Sequence, residues 1–178
     1  MFEYISLINR YEWVVVLVAF VVSAQSPNIR WLTGTIMVLK TIDVLTVDIF
    51  LQWGGWFYIA ISFLDLSIVL SILLRQKTAS YIANLEIPCF SQLAQKSAQY
   101  YKLTSNEIGL VILYMISIIV NFASSIEHVI RRNSEYNPMF IYNHYSQSKL
   151  ALTFLCVMIV CSLAINGANN LYRDKRKN

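Results

Sequence analysis

The chain has 178 residues, of which 57% are hydrophobic and only 13% charged, with a formal net charge of +4. Ordinary soluble domains carry about a quarter charged residues, so the balance excludes that class and implies one integral membrane domain in contact with a lipid bilayer. The positive charge is not a nucleic-acid signal, because Lys and Arg gather after residue 74 and at the C-terminus, as membrane topology demands.

Five apolar runs approach the ~20 residues that cross a hydrocarbon core. They lie at about 5–24, 31–51, 54–74, 107–127 and 150–170. The expected fold is therefore an all-α polytopic transmembrane bundle of about five spans. In the first run, Val22-Ser23-Ala24 resembles a signal-cleavage site. Glu3 and Glu12 offset Arg10, however, so the basic leader of a signal peptide is missing. The run is expected to be an uncleaved span with Tyr11 and Trp13 at the interface; if it lies along the surface instead, four spans remain. Pro27 breaks the chain before the second span, and Gln52-Trp53-Gly54-Gly55 forms a tight turn before the third. Sequential spans joined this closely are expected to pack antiparallel.

Residues 75–106 form the longest polar segment. Beyond Pro88, the apolar residues Phe90, Leu93, Ala94, Ala98 and Tyr101 recur near helical spacing beside Lys96 and Lys102, which predicts either an interfacial helix or one packed on the end of the bundle. Thr104-Ser105-Asn106-Glu107 has the form of a capping box that opens the fourth span. Residues 128–149 are expected to be a loop, turned at Asn137-Pro138. Its Tyr136, Phe140, Tyr142, His144 and Tyr145 are candidates for contact with an external partner, or for an interface belt. Outside the spans, nine Lys and Arg fall on the side of 25–30, 75–106 and the C-terminus, against four on the other. The C-terminus and the 75–106 loop are thus expected in the cytoplasm, and the N-terminus and the 128–149 loop outside.

The second and third spans carry four ionisable groups, Lys40, Asp43, Asp48 and Asp65. A charge near the bilayer centre costs at least about 2.5–3.5 kcal/mol, so these groups must be paired, hydrated or used. On a helical wheel, Lys40, Asp43 and Asp48 fall within one arc of about 160° together with Thr33 and Thr41. Lys40 and Asp43 are three residues apart and can meet. Lys40 and Asp65 lie at similar depth in an antiparallel hairpin. Asp48, nearer the end of its span, can be hydrated. One cation among three carboxylates leaves surplus negative charge, to be met by a proton or by water and a cation. Ser62, Ser67, Ser71, Ser117 and Asn121 are at membrane depth and can line the same interior.

Two readings follow. In the first, these charges make intramembrane contacts with another membrane protein or a second copy of the chain, as an accessory, immunity or exclusion protein would. In the second, Asp43, Asp65 and Lys40 serve an ion- or proton-conducting channel or transporter subunit. Catalysis has little to build on. Ser146-Gln147-Ser148-Lys149 matches S-x-x-K without its companion motifs. His128 and His144 lack metal-ligand spacing. The companion motifs of an intramembrane aspartyl protease are missing around Asp43 and Asp65. Cys89, Cys156 and Cys161 form no disulfide or metal pattern. No cofactor or metal is implied.

Overall fold

A computed structural model describes residues 2–23, 26–85, 90–99, 101, 103–135 and 137–175, with the backbone alone at 2–6, 8, 90 and 169–175. Seven helices account for most of these residues: α1 (Phe2–Val22), α2 (Pro27–Leu51), α3 (Trp56–Leu73), α4 (Arg75–Asn84), α5 (Phe90–Gln99), α6 (Ser105–Asn133) and α7 (Phe140–Lys175). Three segments, Trp56–Leu73, Ser105–Asn133 and Phe140–Ala168, are long and apolar enough to cross a membrane. Helices α1 and α2 have comparable lengths of 21 and 25 residues. Their charged residues, Glu3, Arg10 and Glu12 in one and Arg30, Lys40, Asp43 and Asp48 in the other, make them less apolar.

The helix limits follow local chemistry. Pro27 stands in the first turn of α2, where its missing N–H is no loss; the residue expected to break the chain begins a helix. Gly54 adopts a φ of 59°, left-handed backbone that glycine accepts freely. A Cβ on Gly55 would run into the His128 imidazole, so with any other residue there the His128 ring or the α2–α3 turn would have to shift. The capping box opens α6 as expected. Thr104 Oγ1 accepts from Glu107 N at 3.4 Å, and Glu107 Oε2 accepts from Thr104 N at 2.9 Å.

Helix replaces most of the expected 128–149 loop. Residues 128–133 extend α6, and α7 begins at Phe140. The reason is a buried carboxylate: Glu127 accepts from the N–H groups of Ile141 at 3.2 Å and Tyr142 at 2.7 Å, satisfying donors that the first turn of α7 would leave open. Asn137-Pro138 lies in the short non-helical connection that remains. Segment 75–106 holds a second helix, α4, beside the expected α5. The pair packs on one end of the bundle, where Trp31, Ala79 and Ala94 form a small core. This is the end-packed alternative for α5. Lys102, Cys89 and Tyr136 lie outside the described residues.

The five longer helices close into a ring. Helix α1 packs on α2 and α7, α3 on α2 and α6, and α6 on α7. Outward faces are rich in large apolar side chains, among them Leu45, Phe63, Ile119, Phe154 and Ile165, while buried positions include Glu12, Lys40, Asp43, Asp65, Arg75, Glu107 and Glu127. A surface this apolar over an interior this charged suits lipid surroundings, not water. Two apolar layers fill the ring. The thicker, toward α4 and α5, includes Val16, Leu32, Ile68, Ile72, Leu110 and Leu163. The thinner, toward the α2–α3 turn, holds Val47, Phe57, Tyr58, Ile61 and Tyr145.

Candidate functional site

Between the two apolar layers lies a polar one, built by all five ring helices. Lys40 Nζ pairs with Glu12 Oε2 at 2.7 Å and reaches Asp43 Oδ2 at a longer 3.4 Å. Glu12 Oε1 also accepts from Tyr114 Oη at 3.1 Å. Asp65 is held from two other helices. Its Oδ2 accepts from Ser117 Oγ at 2.6 Å and Asn121 Nδ2 at 3.1 Å, and pairs with Lys149 Nζ at 3.3 Å. Tyr145 Oη donates to Asn121 Oδ1 at 2.9 Å, and Lys149 also donates to Ser117 Oγ. Trp13, expected at the interface, instead donates its Nε1–H to Thr41 Oγ1 at 2.8 Å, which gives a part-buried indole its acceptor.

Lys40, Asp43 and Asp65 are thus buried within one chain, but in a different pairing from the expected one. Lys40 finds Glu12 on α1 before Asp65 on α3, and Asp65 finds Lys149 on α7. Sequence reasoning put Glu12 inside the first span without giving it a role in the polar centre, and put Lys149 in a loop. Glu12 lies near the middle of α1, which was a usable signal. Lys149 was hidden by a polar stretch that turns out to be helical. Asp48 departs from the shared face: it is exposed, while Val47 takes the inward position. Five residues separate Asp43 from Asp48, about 140° around a helix, so both cannot face the ring centre. Among the described residues Asp48 has no ion-pair partner.

Ser117 and Asn121 join the site. Ser62 is buried but donates to Tyr58 O in its own helix at 2.9 Å, and Ser67 and Ser71 likewise bond to backbone carbonyls of α3. Of the aromatic residues expected to face outward, Phe140 and His144 are exposed. Tyr145 is not: it is buried, edge-on to Tyr58 at 5.2 Å and Phe57 at 6.4 Å, because it projects inward from the second turn of α7. Tyr142 is half-buried, with the Arg131 guanidinium 4.4 Å from its ring centre.

The polar layer borders a partly open cavity of about 50 Å³ whose lining includes Glu12, Lys40, Asp43, Asp65, Ser117 and Lys149, room for a small ion or one to two waters. Around it stand three carboxylates and two ammonium groups. Asp43 Oδ1, which is buried, has no hydrogen-bond partner among the described residues. Phe57 borders this cavity and also a wider recess of about 500 Å³ at the α2–α3 turn. No three His, Cys, Asp or Glu side chains among the described residues converge closely enough to hold a metal ion.

A second buried ion pair lies near α4. Arg75 meets Glu107 through Nη1–Oε1 at 2.6 Å and Nη2–Oε2 at 3.2 Å, a two-pronged pair that is almost completely buried, and the guanidinium also lies 5.0 Å from the Tyr101 ring centre. The same Glu107 carboxylate closes the capping box of α6.

Compared with known proteins, the chain matches no family model, no curated protein and no solved structure.

Proposed function

We propose that this chain is a five-span membrane protein whose polar centre takes up and passes a proton or a small monovalent cation. The spans are α1, α2, α3, α6 and α7. The observation that carries the reading is the surplus carboxylate: three acids against two lysines around a small cavity, with one buried Asp43 oxygen left without a protein partner among the described residues. A balanced network would suffice to fix helix register. An unbalanced one in a low-dielectric interior needs another positive charge, because an uncompensated buried carboxylate costs several kcal/mol. A proton on Asp43, or a cation beside it, supplies that charge. Lys40 and Lys149 hold Glu12 and Asp65 in place, leaving Asp43 as the exchangeable position.

The orientation with the C-terminus in the cytoplasm remains the proposed one.

The test is flux into liposomes carrying the purified protein, followed with a pH dye and with sodium- and potassium-sensitive dyes. Wild type should conduct, and Asp43→Asn should be silent while keeping its helical content. A silent wild type, or an Asp43→Asn variant that conducts normally, would rule the reading out.

A second reading, docking to another membrane protein or a second copy, draws on one observation. Exposed Asp48 stands on the outer face of α2 among the exposed apolar residues Val38, Ile42, Leu45 and Ile49. Under it, Asp48→Asn should abolish a defined oligomer or co-purifying partner. Assembly unchanged in this variant would leave Asp48 as a hydrated surface group.

A further inference from the structure

The recess at the α2–α3 turn has a chemistry of its own, independent of the polar centre. It is lined by Gly54, Phe57, Tyr58, His128, Arg131, Arg132, Asn137 and Tyr142 among others, and so gathers two guanidinium groups and an imidazole against aromatic walls. The acids nearest in sequence do not neutralise it. Glu127 is engaged by the backbone N–H groups of Ile141 and Tyr142. Among the described residues neither Arg131 nor Arg132 has a carboxylate within ion-pair distance. The Arg131 Nε–H is buried and has no acceptor among them. Arg131 is held over the Tyr142 ring, which orders its planar fork before any ligand arrives. Gly54, in the α2–α3 turn, is among the residues that line the recess.

We infer that this recess binds the phosphate group of an anionic phospholipid. Guanidinium forks match phosphate oxygens in geometry as well as charge; in the proposed orientation the recess lies at the outer end of the bundle, so the lipid is one of the outer leaflet. The lipid, as the source of that phosphate, is indicated by the setting. Trp53 and Trp56 at the turn and Phe140 at the start of α7 are all exposed, the aromatic belt of a membrane–water interface. A headgroup in the recess would have its acyl chains beside the apolar outer faces of the ring.

The experiment uses the full chain in nanodiscs of phosphatidylcholine, with and without phosphatidylglycerol, reading the lipids retained by native mass spectrometry and the thermal unfolding midpoint. Phosphatidylglycerol should be retained and should raise the midpoint. Arg132→Gln and His128→Gln should each weaken retention about tenfold, the scale of one lost charge-assisted hydrogen bond. Arg132 is exposed, so its variant tests binding without disturbing the core. Lys77→Gln, which removes an exposed charge on α4, should leave retention unchanged. Inorganic phosphate or glycerol phosphate added to phosphatidylcholine discs should not raise the midpoint at equal concentration. If either does so as well as phosphatidylglycerol, the site takes free phosphate and the lipid assignment fails. Equal losses in Lys77→Gln and Arg132→Gln, or no preference for phosphatidylglycerol in wild type, would overturn the site altogether.

Discussion

The molecule buries charge in two places, and the two are built on different plans. At Arg75–Glu107 one cation meets one carboxylate through two N–H···O bonds, with a ring against the guanidinium and a backbone N–H on the carboxylate. The two charges match one for one. In the central layer two lysines face three carboxylates across a cavity, one contact is long, and a buried oxygen lacks a partner. A balanced, two-pronged pair is what a fold needs to pin α4 to α6. An unbalanced cluster of five groups drawn from α1, α2, α3 and α7 exceeds what register requires, and that excess separates a candidate for function from a fastening.

The contrast can be broken by mutation. Glu107→Ala should have the largest effect on stability, about 3–5 kcal/mol, because it strands a buried guanidinium. Replacing both partners with apolar residues, Arg75→Met with Glu107→Leu, should recover much of it. Reversible unfolding in mixed micelles measures both. Asp65→Ala should follow at about 2–4 kcal/mol, since it removes three bonds to one oxygen and leaves Lys149 without its carboxylate. Thr104→Ala should cost about 1 kcal/mol, the ordinary value of a helix cap. Asp43→Asn should come last, within about 1 kcal/mol of wild type, because it removes surplus charge and keeps the shape. If Asp43→Asn proved as damaging as Glu107→Ala, the two regions would share one role and the division drawn between them would fall.

Much of this plan was legible before any coordinates. Lys40, Asp43 and Asp65 stand out because charge is expensive where hydropathy is high, and Ser117 and Asn121 because polar side chains at that depth need partners. Thr104 and Glu107 declare a helix start by spacing alone. What stayed hidden depends on tertiary pairing. The partner of Lys40 comes from α1 and that of Asp65 from the far end of the chain, and no local pattern encodes either choice. Lys149 follows a run of Tyr, Asn, His, Ser and Gln that reads as a loop, yet it is helical because Glu127, from another helix, caps its beginning. Helix α4, with the sequence RQKTASYIAN, carries too little apolar periodicity to announce itself; its buried Ala79 matters only once Trp31 and Ala94 are beside it.

The pairing also sets an order of events during synthesis. Glu12 precedes Lys40, so under the proposed five-span arrangement α1 and α2 would enter the membrane as a hairpin with their ion pair already made. Asp65 has no such arrangement, because its ammonium partner lies 84 residues further along, roughly ten seconds of translation. Until α7 arrives, the third helix must hold its carboxylate neutral, keep it in the insertion channel, or lend it to Lys40. Truncations ending before residue 140 should therefore be poorly retained in the membrane or rapidly degraded, while a chain reaching past Lys149 is stable. Under that arrangement helix α7 is the one that lets the third settle, by bringing the ammonium group that Asp65 awaits.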